Sequence, residues 1–299
     1  MGASSEPRPR VVGIGEILWD VFPDRSCFGG APANFAAHAA ALGCDVDMIS
    51  AVGRDELGDQ ALKELSGRDV AATFVARSER PTGTVNVTLD EAGKADYTFA
   101  AETAWDALEW RPELARLAAE TRVTCFGSLG QRDARSCGAI QRFVAATPED
   151  SLRIFDVNLR QHFYNDDVIE DSLFLANVLK LNDEEIDVVD PGGGESAPAD
   201  RLRALCARYN LRLAALTMGE QGALLVTPDE SVEVAAGRVE VVDTVGAGDA
   251  FTAVLALGLL CGASLEDIGS CACEIAAYVC SQPGATPSLP AVLRTPFGS

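Results

Sequence analysis

The sequence predicts an α/β fold: a central, mostly parallel sheet flanked by helices, with a small antiparallel β lid. Three observations carry this. Short apolar runs alternate with stretches of helical periodicity, the βαβα rhythm of a parallel sheet covered on both faces. Two segments, about 16–28 and 82–101, break the rhythm with extended, alternating patterns and no helix between their strands. No linker, repeat or low-complexity tract divides the 299 residues, so a single domain over 1–299 is expected, with both lid segments inserted in it.

Taken in order, "VVGIG" (11–15) reads as a buried strand and "APANFAAHAAALG" as an Ala-rich helix ended by Gly43. "DMISAVG", "VTCFGS", "LRIFDVN", "NVLKLN", "LRLAALTMG" and "GALLVT" are further strands. "DELGDQALKELSG", "CGAIQRFVAAT", "PADRLRALCARYN" and "SLEDIGSCACEIAAYVCSQ" are helices between them. "RVEVV" (238–242) reads as a strand leading into "DTVGAGDAF", and "DPGGGESAPAD" (190–200) as a surface loop. Within the second lid segment a hairpin turn is expected near "DEAGKAD" (90–96). The alternating "TVNVTL" there would bury its apolar face either in a homodimer through the lid or over its own active site.

Composition narrows the function. A chain that is 47% hydrophobic can build a sizeable core. A net charge of −21 argues against nucleic acid, whose phosphates need a basic face. An anionic small ligand stays open, provided that amides, an arginine or a metal neutralise it locally. Nine cysteines show no zinc spacing; Cys271 and Cys273 would point about 200° apart on a helix. They read as buried thiols of a protein in a reducing cytoplasm. The longest apolar run, Ala253 to Cys261, is far short of the ~20 residues of a membrane span. Glu16 and Asp20 interrupt the N-terminal apolar stretch, which is unlike a signal peptide.

The chemistry concentrates in "DTVGAGDAF" (243–251), where Asp243 and Asp249 flank a Gly-Ala-Gly turn. A strand, a glycine turn and a helix start together aim free N–H groups at one spot, which binds anions. Gly246 and Gly248 let the backbone approach a ligand. Asp249 reads either as a helix cap or as a general base beside an anion hole. The second reading describes phosphoryl transfer, with the N–H groups receiving charge on the migrating group. Histidine-assisted hydrolysis lacks support, since the only histidines are His38 and His162 and there is no Gly-x-Ser-x-Gly elbow. No Walker A sequence occurs either.

"DTVGAGDAF" resembles the C-terminal signature of the ribokinase-like (PfkB) carbohydrate kinases, D-T-x-G-A-G-D, and matches it fully. "FGGAPANFAAHAAALG" is similar to their first signature, through Gly29, Gly30 and Asn34. "LNDEE" matches N-x-x-E through Asn182 and Glu185, and "TMGEQG" matches T-x-G-x-x-G through Thr217, Gly219 and Gly222. The likeness runs from about Val11 to Pro290, in the family's order.

The resemblance implies an ATP-dependent sugar kinase with Asp249 as base and the amides of Ala247 and Gly248, with Gly246, as anion hole. Asp20, Gly29, Gly30 and Asn34 would bind sugar. Asn182 and Glu185 would organise Mg²⁺ directly or through water, and Asn182, Thr217, Gly219, Gly222, Gly246 and Gly248 would meet the nucleotide. Asp243, with Val245, Gly284 and Ser288 of "PGATPS", would hold a monovalent cation, K⁺. Alone, Asp243 reads as a turn cap, Asn182 and Glu185 as a solvated helix start, and TMGEQG as a strand-turn-strand.

Ala31 stands where ribokinases carry lysine, which agrees better with fructokinase-like members. "YTFAAETAWD" and "FDVNLR" are similar to fructokinase segments, making Phe99 an apolar pocket wall and Arg160 a residue reaching the sugar or a phosphate. A neutral hexose, fructose, is the substrate expected. The alternatives are another family substrate (2-keto-3-deoxygluconate, ribose, a nucleoside or a sugar phosphate) or a non-catalytic sugar- or nucleotide-binding protein.

Overall fold

A computed structural model of the chain describes residues 8–89 and 95–298. Its first half contains β1 (Arg10–Ile14), β2 (Leu18–Val21), β3 (Ser26–Gly29), α1 (Ala31–Ala41), β4 (Asp45–Gly53) and α2 (Glu56–Gly67). These are followed by β5 (Val70–Ala71), β6 (Val75–Ser78), β7 (Gly83–Leu89), β8 (Ala95–Phe99), α3 (Pro112–Glu120), β9 (Val123–Phe126) and α4 (Ala134–Ala145). The second half holds β10 (Leu152–Asp156), α5 (Asp166–Leu175), β11 (Val178–Asn182), α6 (Ile186–Val189) and α7 (Pro198–Tyr209). Then come β12 (Leu213–Thr217), β13 (Ala223–Val226), β14 (Ser231–Val234), α8 (Ala247–Cys261) and α9 (Leu265–Cys280).

The large sheet runs β14-β13-β12-β11-β10-β9-β1-β4-β5, with β6 also paired to β4. It is parallel from β5 to β12 and antiparallel at β13 and β14. The chain moves from β1 to β4 on one side and restarts at β9 on the other, so strand order reverses beside β1. Crevices at such reversals, beyond the carboxyl ends of the strands, are where these sheets bind ligands.

Both faces of the sheet are apolar, which is why its strands read as continuous hydrophobic runs. One face packs Phe35, Met48, Phe251 and Ile268 under α1, α8 and α9. The other packs Phe126, Phe143, Phe155 and Leu205 under α4 and α7. Polar caps set the helix starts, as where Asp55 accepts from Gly58 N at 2.8 Å and opens α2.

The two lid segments join into a four-stranded sheet, β3-β2-β7-β8. Each segment is an antiparallel hairpin, β2 with β3 and β7 with β8, and the two meet through a parallel β2–β7 seam. The turn expected near 90–96 falls largely on 90–94, outside the described residues. Val85 and Val87 of "TVNVTL" are buried within the chain itself, Val85 against Leu18, Trp105 and Leu129. The lid's apolar face therefore closes on its own protein.

One expected element is absent. Residues 238–242 form no strand, and Val239, Val241 and Val242 are 42%, 62% and 61% exposed. The alternation is there, but β14 has already taken the sheet edge and leaves these valines no partner. The segment instead crosses to α9, where the N–H groups of Val242 and Asp243 donate to the Cys280 carbonyl.

Candidate active site

Gly246 precedes α8 with φ +81°, and a side chain there would be strained and would collide with the Ala285 carbonyl. The turn delivers the first-turn N–H groups of the helix, Ala247, Gly248 and Asp249, to one place without helical acceptors. Among the described residues only a weak contact, 3.4 Å from Ala247 N to the Thr244 carbonyl, engages any of them. Fifteen aligned peptides add a positive helix end.

Asp249 is the third residue of this helix and makes no capping bond, so the cap reading fails. Its Oδ2 instead accepts from Asn34 Nδ2 at 2.9 Å, across from α1. Burial, and then the charge of Asp156, push its pKa up to about 7, against the lowering effects of Asn34, Lys180 and Arg160. Such a carboxylate is poised to exchange a proton near neutrality.

Asn34 is 4% exposed, and its Oδ1 has no hydrogen-bond partner among the described residues. An unpaired buried carbonyl is costly and marks a place for an incoming donor. Around it, Gly30 turns into α1 with φ +113°, where a Cβ would meet the Glu16 carbonyl. Asp20 on β2 places its carboxylate beside Gly29. Partial burial raises the Asp20 pKa to about 6, with Arg160 lowering it and Asp243 raising it.

Arg160 itself is exposed, and its charge lowers the pKa values of Glu16, Asp20 and Asp249 alike. It lies in a loop with two left-handed non-glycine residues, Asn158 (φ +46°) and Gln161 (φ +48°). Backbone strain of this kind persists where surrounding contacts enforce it. Here Gln161 Nε2 donates to Tyr97 O at 2.6 Å, and Phe163 packs edge-on against Phe99 at 5.4 Å. Phe99 thus belongs to the apolar underside of the lid.

Asn182 and Glu185 interlock like a capping box. Asn182 Oδ1 accepts from Glu185 N, and Glu185 Oε2 accepts from Asn182 N, both at 2.9 Å. Glu185 Oε1 also takes Leu159 N at 2.8 Å, and the residue is 4% exposed. With both carboxylate oxygens accepting, the pair fits Mg²⁺ held through water better than direct ligation. No group of three or more acidic, His or Cys ligands occurs among the described residues. Thr217 ends β12, and Gly219 and Gly222 turn with φ +54° and +106°; a Cβ on Gly222 would strike the Val234 carbonyl.

Asp243 joins two loops. Its Oδ1 accepts from Val245 N at 3.0 Å and its Oδ2 from Gly284 N at 3.1 Å. Asp243, Val245 and Gly284 are thereby brought together, in a frame that fits a cation bound by the remaining lone pairs and nearby carbonyls. The Ser288 carbonyl accepts from Tyr278 instead.

Three buried polar residues of the site escaped the sequence reading. Glu16, 2% exposed, accepts from Ala31 N at 3.2 Å. Burial raises its pKa to about 7, against backbone hydrogen bonds and Arg160. Lys180 and Asp156 form a buried pair at 3.0 Å beneath α8. The signal was available: a charge inside an all-buried parallel strand, as in "NVLKLN", needs a partner and a reason.

A strand-order reversal that brings together a buried carboxylate of raised pKa, an unpartnered amide oxygen and a helix start suits an α/β phosphotransferase acting on a hydroxyl. Residues 24–292 match the pfkB family carbohydrate kinase model, and the chain belongs to that family as an ATP-dependent sugar kinase. It is 30% identical to an uncharacterized sugar kinase of Pyrococcus horikoshii over 92% of this chain and 91% of that one. The structure of that relative in complex with ATP superposes with a TM-score of 0.79, covering 94% and 95% of the two chains at 28% identity. The chain is also 30% identical to a fructokinase of Salmonella typhimurium, over 82% and 83% of the two chains. A double-mutant fructokinase from Vibrio cholerae with fructose, ADP and potassium ion bound superposes at TM-score 0.80, with 26% identity and 97% and 98% coverage.

Proposed function

We propose that this sugar kinase phosphorylates a hydroxyl of a small neutral sugar, fructose being the substrate expected. The observation that carries the reading is the Asn34–Asp249 pair, with Asn34 Oδ1 unpartnered beside a buried carboxylate of raised pKa. A sugar hydroxyl entering there donates to Asn34 or to Asp249. Ionised Asp249 then takes its proton as the oxygen attacks the terminal phosphoryl group of ATP. The N–H groups of Ala247 and Gly248 receive the charge that develops.

Asp20, Gly29 and Gly30 would meet the other hydroxyls, with Phe99 as an apolar wall and Arg160 at the rim. A single rim arginine suits a neutral sugar better than a sugar phosphate. Ala31 in place of a ribokinase lysine, and the fructokinase relatives, support fructose. Thr217, Gly219 and Gly222 would cradle the nucleotide. Asn182 and Glu185 would hold Mg²⁺ through water, and bound Mg²⁺ would neutralise phosphate charge. Asp243, Val245, Gly284 and Ser288 would hold K⁺, which would brace the turn at Gly246. We read the chain as one catalytic unit with its lid inserted. The self-buried lid face supports a lid over its own site, without requiring a lid dimer. The nine free thiols support a cytoplasmic protein.

The test is a coupled ADP-release assay with Mg·ATP and K⁺ across fructose, glucose, mannose, ribose, 2-keto-3-deoxygluconate, adenosine and fructose phosphates. Fructose is expected to give the highest kcat/KM. A higher value for another member overturns the substrate but keeps the mechanism. Silence on all, with ATP still bound, overturns the catalytic reading of the site.

A further inference from the structure

Beneath the anion-binding turn lies a charged network that the reaction as described above does not use. Lys180, from the centre of β11, is 6% exposed and donates to Asp156 Oδ1 at 3.0 Å. Asp156 Oδ2 accepts from the Thr252 hydroxyl at 2.8 Å. That hydroxyl also lies 3.0 Å from the Gly248 carbonyl, one turn back along α8. The hydroxyl has one proton, which it gives to Asp156, so lysine, aspartate and threonine form a chain that ends on Thr252 and packs against the peptide following Gly248.

The ammonium group also approaches the turn directly. A Cβ on Gly248 would sit 3.0 Å from Lys180 Nζ, so the absent side chain keeps the charge against the turn. Asp156 is its one hydrogen-bond partner among the described residues, although an ammonium has three donors. The ion pair with Asp156 thus sets a cation directly beneath the turn that leads into Asp249.

A fold needs no such pair in a buried strand, where apolar residues of similar size are often as stable or more so. A cation under an anion site does have a use. Charge gathered on the migrating phosphoryl group over the Gly248 amide would otherwise have the Asp156 carboxylate beneath it. We propose that Lys180 is a positioning residue for phosphoryl transfer: through Asp156 it anchors Thr252 and with it the first turns of α8, and its charge backs the anion hole from beneath. Gly248 is then required on two sides, by the ligand above and by the ammonium below.

The inference rests on Asp249 being the base, so Asp249→Asn serves as control throughout. K180M removes the charge but strands Asp156. The double variant K180M/D156N removes both charges while leaving Thr252 an acceptor of the same shape. The assay is ADP release with the best sugar found for the native enzyme, and ATP binding is measured by calorimetry. The expected result is a folded double variant whose kcat is down at least 100-fold, with KM for sugar and Kd for ATP within threefold of native. K180M is expected to lose at least as much activity.

A double variant with kcat within threefold of native overturns the proposal, because the pair is then only structural. So does a double variant that fails to fold, or one whose loss lies in KM and Kd instead of kcat. If D249N keeps native turnover, the base assignment fails with it; if D249N is inactive and the double variant active, only this proposal falls.

Discussion

Ionisation of Asp249 is expected to set the acid limb of the pH–rate profile. The group is buried, its pKa is raised to about 7, and only its charged form can accept the sugar proton. With one such group, about half the enzyme is competent at pH 7, about a tenth at pH 6 and about a hundredth at pH 5. The plot of log kcat/KM should therefore rise with unit slope and bend near 7. Its plateau lies on the alkaline side, because deprotonation creates the base.

Asn34 supplies the perturbation that ties this limb to the structure. Its hydrogen bond to Asp249 Oδ2 at 2.9 Å stabilises the charged form. Hydrogen bonds to charged groups are worth about 1.5–3 kcal/mol, and one pKa unit is about 1.4 kcal/mol. Asn34→Leu keeps the shape and removes the donor, so the bend should move up by about one to two pH units. The measurement is ADP release at subsaturating sugar from pH 5 to 9, in buffers of constant ionic strength. A native profile flat down to pH 5, or an Asn34→Leu limb coincident with native, would refute the assignment of the base.

Three further predictions follow from particular contacts. Asp249→Asn should lose about 10²–10⁴ in kcat while binding ATP within a few-fold of native by calorimetry; near-native kcat would remove Asp249 from the mechanism. Replacing K⁺ with tetramethylammonium should lower native turnover. Asp243→Ala should abolish that response, since its carboxylate bridges Val245 N and Gly284 N; equal rates of the native enzyme in both salts would count against the cation site. Arg132→Met should lower stability by about 3–5 kcal/mol, read as a drop in Tm and in the denaturant midpoint. Arg132 and Asp106 form a buried pair at 2.7 Å, with side chains 8% and 3% exposed, and its loss strands the carboxylate that ties down Thr103 behind the lid. An unchanged midpoint would show the pair to be dispensable.

Local chemistry made much of this protein legible from its residues alone. Strands buried on both faces are continuous apolar runs, so β1, β9, β10 and β11 could be read within a residue or two. The glycines of "DTVGAGDAF" announced a tight turn into a helix, because Gly246 must take positive φ and Gly248 leaves room for close approach. What depends on partners far along the chain was not legible. "RVEVV" has the alternation of a strand, and only the sheet's own edge denied it a neighbour. Asp249 sits where an acidic residue often supports a helix start; its pairing with Asn34, 215 positions away, is what sets it apart from a cap. Lys180 and Asp156 each interrupt an apolar strand, but only the parallel register of β10 on β11 sets them opposite each other beneath the helix. The sequence by itself determined the elements, the turn and the acids available. The tertiary structure decided which acids are buried together and which cation faces them, because desolvation and charge pairing arise only where distant segments meet.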